Sequence, residues 1–189
     1  MIPEFIDFCK ELFPNIYPYT AEQAKLVMDQ FEKNDVPKLA RYTEQFDLLQ
    51  GDIFSEIPFV YINDDGEVQT FFSKAELLSN TCDASRDDEL LFAAIRPIEG
   101  YSDNKDSITA IKHNKRYSLF YIPDIPMENY CVDFELITSI SRKVFNELCN
   151  KGNVNRIATL TSVGYYMLIS KLTVFFLRPE DVETNCCRE

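Results

Sequence analysis

Tryptophan is absent from the 189 residues, histidine occurs once, and glycine occurs only 5 times. There is no P-loop, dinucleotide fingerprint, nucleophile elbow or H-E-x-x-H motif, so nucleotide-dependent and zinc-protease chemistry lack the residues they require. The cysteines Cys9, Cys82, Cys131, Cys149, Cys186 and Cys187 are scattered, with no C-x-x-C pairing. That argues for free thiols in a reducing compartment, against a disulfide framework and against a zinc site; no metal and no cofactor is expected. No basic stretch leads from Met1-Ile2-Pro3-Glu4 into an apolar segment, which makes a cytoplasmic setting the expectation. The most apolar stretch, residues 163–177, contains Lys171. It is too short and too polar to cross a bilayer and reads as a buried helix.

Basic residues are also in deficit: 19 Lys and Arg stand against 31 Asp and Glu, a net charge of -12. Long-range attraction to phosphate backbones or anionic membranes is therefore not expected of the whole surface. Hydrophobic residues at 46% and charged residues at 26% are ordinary globular values, which rules out wholesale disorder. The length suits one domain with an extension.

The pattern along the chain changes once. Phe5, Phe8, Cys9, Leu12 and Phe13 recur at helical spacing, as do Ala24, Val27, Met28 and Phe31 after a Thr20/Gln23 capping box. Pro37 is expected to open a third short helix reaching about Phe46, which makes residues 1–48 a helical extension. From Gly51 the signals are those of strands. Residues 52–54 and 58–62 read as strand material, and Asp65-Gly66 as a two-residue hairpin turn with the return strand at 67–78. Further strands are expected at 90–95, 117–122 and 130–137, with a short helix around 107–112 and helical turns marked by Val144, Phe145 and Leu148. Ser162 is expected to cap a last helix from about Val163 to Phe176. The fold class is thus α+β, with a small β-barrel and closing helix over 49–178 and a tail at 179–189.

Four local patterns carry a resemblance. Gly51-Asp52-Ile53-Phe54 resembles the opening strand of the PemK/MazF-like toxins, and Leu77-Leu78-Ser79-Asn80 resembles their strand ending in a serine-asparagine pair. Residues 91–95, Leu-Phe-Ala-Ala-Ile, are similar to the strand that follows, and residues 155–161 to the closing segment. The resemblance implies an SH3-like barrel, often dimeric, that cleaves single-stranded RNA without a metal and is neutralised by a protein antitoxin. The family's arginine position falls here near Ser73 and Lys74, and its hydroxyl position falls on Arg96, so neither residue type matches.

Phosphodiester cleavage needs a base for the 2′-hydroxyl and a cation for developing charge. Lys74, Arg96 and His113 are the candidate catalytic residues on that reading, His113 lying in the basic run Lys112-His113-Asn114-Lys115-Arg116 that could contact RNA. The candidate binding residues are Ser79, Asn80, Thr81, Cys82 and Asp83, at a strand end where functional side chains are often presented. Cys82 would be a nucleophile there if a base such as His113 approached. The alternative is that Ser79, Asn80 and Asp83 form hydrogen-bonded turns while Cys82 packs as a small apolar group. Three functions follow: a divergent PemK/MazF-like protein binding a macromolecular partner in a toxin–antitoxin or phage-defence setting, an RNA-cleaving toxin with unusual residues, or an acidic inhibitor imitating nucleic-acid charge. Each calls for a protein or RNA partner and none for a membrane.

Overall fold

The computed structural model describes residues 38–44, 47–125 and 127–177. The first two expected helices and the tail at 179–189 lie outside them. Seven strands form one antiparallel sheet: β1 (Ala40–Arg41), β2 (Ile53–Ile62), β3 (Val68–Leu77), β4 (Glu89–Pro97), β5 (Leu119–Tyr121), β6 (Tyr130–Ser141) and β7 (Arg156–Leu160). Their order across the sheet is β1-β7-β2-β3-β4-β6-β5. The helices among the described residues are α1 (Thr81–Ala84), α2 (Lys105–Lys112), α3 (Arg142–Asn150) and α4 (Ser162–Leu177), with one 3-10 turn at Ile98–Gly100.

Two expectations need correction. The stretch opened by Pro37 is not helical at Ala40 and Arg41, which pair with Leu160 and Thr159 of β7. The sheet also does not close into a barrel, because its edge strands β1 and β5 do not pair. A side chain bridges them instead: the Asp124 carboxylate just beyond β5 accepts the Leu39 amide just before β1, at 2.6 Å. Smaller differences are local. The β2–β3 turn occupies Asp64, Asp65 and Gly66, with Gly66 at φ +80°, because Asn63 and Glu67 still pair. The cap of α4 is Thr161, whose Oγ1 accepts the Gly164 amide at 3.1 Å.

Strand alternation gives the sheet a core on each face. On β4, Ala93 and Ile95 enter one cluster with Phe120, Val132 and Phe134, covered by Met167 and Leu168 of α4. Leu90, Phe92 and Ala94 enter the other, covered by Phe145 of α3. There Phe54 and Phe145 meet edge to face with centroids 5.1 Å apart, and Phe92 stacks on Phe145 at 5.5 Å. Such aromatic contacts contribute about 0.5–1.5 kcal/mol each beyond the area they bury.

Lys171 ties α4 to the rest of the fold. Its Nζ is buried and donates to the carbonyl oxygens of Asn114 (2.9 Å) and Arg116 (2.7 Å). Burial pushes its pKa down to about 7. Lys171→Ala leaves both carbonyls without their donor and opens a cavity, with an expected loss of about 2–4 kcal/mol. Urea unfolding is the measurement, and Lys171→Met, which keeps the stem volume, should recover part of the loss.

Candidate functional site

The chain leaves β3 through a turn that uses nearly every polar group in it. Ser79 Oγ accepts the Leu91 amide (2.9 Å), and Asn80 Oδ1 caps α1 by accepting the Cys82 amide (2.9 Å). Thr81 Oγ1 accepts the Gln50 amide (3.1 Å), joining α1 to the turn before β2. The Cys82 carbonyl accepts from Ser85 Oγ and Arg86 Nε, while its thiol is exposed and not packed inside. Asp83 lies 3.6 Å from the Arg86 guanidinium, an exposed pair of little energetic weight. Arg142, first residue of α3, closes the far side: its guanidinium donates to the carbonyl oxygens of Asp83, Ala84 and Asp87.

The five candidate binding residues are therefore neighbours, and three of them already hold backbone amides. Beside them is a cleft of about 610 Å³ whose lining includes Gln50, Ser79 and Asn80 and the acidic Asp83, Asp87, Asp88 and Glu89. The four carboxylates outnumber the Arg86 and Arg142 guanidinium groups on the same turn, so the opening carries a net negative charge that disfavours phosphate. A second cleft of about 510 Å³ opens on the other side of Gln50 and Thr81, lined also by Arg41, Thr161, Tyr165 and Tyr166. Asp52, next to Gly51, is fully buried and ion-paired to Arg156 at 3.0 Å. Burial raises its pKa, outweighing the Leu49 amide, the Thr159 hydroxyl and the Arg156 charge. This pair sits among β2 and β7 as part of the packing.

The three candidate catalytic residues are not brought together. Lys74 and Arg96 extend from opposite faces of the sheet. Lys74 Nζ stands 5.8 Å from the Tyr130 ring, which packs on the α4 side, and the Arg96 guanidinium 5.7 Å from the Phe71 ring, which packs on the α3 side. His113 follows α2 as its C-cap, with its amide bonded to the Thr109 carbonyl. No hydrogen bond joins it to Cys82 among the described residues. The basic run around it is clamped rather than free, since Lys171 holds two of its carbonyls and the Asn114 side chain brackets Tyr121.

No protein-family model matches the chain, and no curated protein matches it significantly. One similar solved structure is an endoribonuclease in complex with its cognate antitoxin from mycobacterial species. It shares 9% identity, covers 72% of this chain and 100% of that one, and superposes with a TM-score of 0.41. A likeness at that identity and score transfers no activity to this chain.

One surface feature was missed by the sequence reasoning. Strand β3 pairs with β4 only over Ala75–Leu77, and β2 pairs with β7 only at Ile53 and Phe54. The remainder of β2 and β3 is a two-stranded ribbon with no further ladder among the described residues. Its inner face is covered: Phe59 and Phe71 stack with centroids 5.3 Å apart, and Phe59 is buried. Its outer face carries the cross-strand pairs Pro58/Phe72, Val60/Thr70 and Ile62/Val68. Of these, Val60 is 57%, Ile62 70%, Val68 67% and Phe72 66% exposed. The available signal was the run Ile-Pro-Phe-Val-Tyr-Ile, apolar at both strand parities where a one-sided strand alternates.

Proposed function

We propose that this chain is a divergent PemK/MazF-like protein that acts mainly by binding a macromolecular partner, a protein, in a toxin–antitoxin or phage-defence setting. The observation that carries this reading is the outer face of the β2–β3 ribbon. Contiguous exposed apolar side chains are uncommon on monomeric soluble proteins and mark interaction surfaces. The segments whose sequence resembles the toxin family lie on strands of this sheet: residues 51–54 open β2, 77–80 end β3, 91–95 lie in β4 and 155–161 contain β7. The strand-end rim from Ser79 to Asp88 supplies a second, acidic contact surface beside the same strands.

Two measurements test the proposal. A photo-crosslinking residue at Phe72, in protein expressed in its native host, is expected to give a discrete protein adduct, while the same residue at the exposed Glu147 of α3 gives none. Purified protein incubated with mixed single-stranded RNA is expected to show no cleavage that depends on Arg96. Absence of an adduct at Phe72 refutes the binding role, and cleavage lost in Arg96→Ala establishes the ribonuclease reading in its place.

A further inference from the structure

We infer that the β2–β3 ribbon takes a cationic, extended segment of another protein, added as a strand along the free edge of β3. The inference rests on the partner-binding reading and names the chemistry of the partner. Between Ser55 and Ser73 the ribbon contains Glu56, Asp64, Asp65 and Glu67 and no Lys or Arg; the nearest cations are Lys74, next in β3, and Arg96, whose guanidinium is 5.7 Å from the Phe71 ring. All four carboxylates are exposed. Three of them cluster at the tip, where the Asn63 side chain accepts the Asp65 amide (3.1 Å) and the Glu67 amide (2.8 Å) and so fixes the turn that carries them. The surface is thus an apolar stripe ending in a localised negative charge.

That pattern decides among occupants. A second copy of this chain brings a net charge of -12 and the same acidic tip, so self-association must work against like-charge repulsion. A segment whose apolar side chains continue the stripe and whose Lys or Arg residues reach Asp64, Asp65 and Glu67 meets both requirements. The edge supplies the third. Residues 68–72 of β3 have β2 on one side and no ladder on the other among the described residues, so their outward backbone groups can template a strand; beyond them Ser73 Oγ already donates to the Ile95 carbonyl of β4, at 3.0 Å. Strand addition of this kind takes affinity from main-chain hydrogen bonds and specificity from alternate side chains.

The test uses full-length protein and two fluorescent peptides of about ten residues, each alternating valine and threonine, one ending in three lysines and the other in three glutamates. Fluorescence anisotropy is expected to show binding of the lysine peptide, roughly tenfold or more weaker binding of the glutamate peptide, and weakening with added salt. Phe72→Ser and Asp64→Asn/Asp65→Asn are each expected to weaken the lysine peptide by about tenfold, and methylation of its alternate backbone amides to abolish binding. Equal affinity for both peptides overturns the charge assignment, and indifference to amide methylation overturns strand addition. No binding of either peptide, or a salt-resistant homodimer in sedimentation that Phe72→Ser dissolves, overturns the inference as a whole. An adduct at Phe72 in the native host together with a silent peptide assay sinks this inference alone; peptide binding without an adduct sinks the proposed function alone.

Discussion

Glu76→Met is expected to stabilise the protein by about 1–3 kcal/mol at neutral pH, the cost of a buried polar group left without a partner. Glu76 stands across from Ile53 and Ala93 in the sheet, and both of those residues belong to the core beneath α4. It is completely buried, and neither carboxylate oxygen has a hydrogen-bond partner among the described residues. Burial raises its pKa well above 4.5. The folded protein therefore keeps the proton over a pH range in which the unfolded chain releases it. Below the ordinary carboxylate value both states hold the proton and the carboxyl adds no pH dependence. As pH rises above that value the unfolded state alone is favoured by ionisation, so stability falls until the folded-state pKa is reached. Methionine fills the same space, has no proton to lose and abolishes that slope. Urea unfolding of both proteins between about pH 4 and pH 8 checks it: the advantage of Glu76→Met should widen as pH rises, with a melting gain of about 2–4 °C per kcal/mol. A variant less stable than the parent, or an advantage independent of pH, would mean that the carboxyl has a partner in the fold.

Gly164→Ala is expected to cost about 3 kcal/mol or more, although alanine is the better helix former by about 1 kcal/mol. Gly164 lies in the first turn of α4, directly against β1. A Cβ there would overlap the Leu39 carbonyl oxygen and press on the Leu160 side chain. The carbonyl cannot turn away, because it accepts the Thr161 amide at 2.9 Å. The helix must lift instead, which pulls Met167 and Leu168 out of the core. Thermal unfolding measures the loss. Gly100→Ala is the control: it has open space around its Cβ and is expected to stay within about 0.5 kcal/mol of the parent. Equal behaviour of the two variants would show that α4 does not pack closely on β1.

Much of the fold was legible because its signals are local. Asp-Gly between two apolar runs marks a hairpin whatever surrounds it, and Pro97 marks the end of β4. Phe145 and Leu148 at helical spacing announce α3, and residues 163–177 form a helix apolar enough to need burial. The stretch at Ala40 and Arg41 was read as helix because a two-residue strand has no period of its own. Its conformation is set by β7, more than a hundred residues away in the chain. The candidate site divides the same way. The polar run from Ser79 to Asp83 does form one turn, where the Asn80 side chain accepts its own neighbouring amide at Cys82, while the Ser79 and Thr81 hydroxyls accept the distant Leu91 and Gln50 amides. Lys74, Arg96 and His113 depend on which face and which helix end each occupies, and that is not encoded within a few residues of any of them.

The sequence by itself determined the acidic charge, the α+β class, most strand and helix positions between Gly51 and Leu177 and the tight turn at Gly66, because composition, apolar period and backbone sterics act over a few residues. The tertiary structure alone decided that the sheet stays open with Asp124 bridging its edges, that Glu76 is enclosed without a partner among the described residues, and that one apolar face of the β2–β3 ribbon is left exposed. Those outcomes depend on which distant strands lie side by side, and a pleated strand exposes or buries a residue only through the neighbours the fold brings to it.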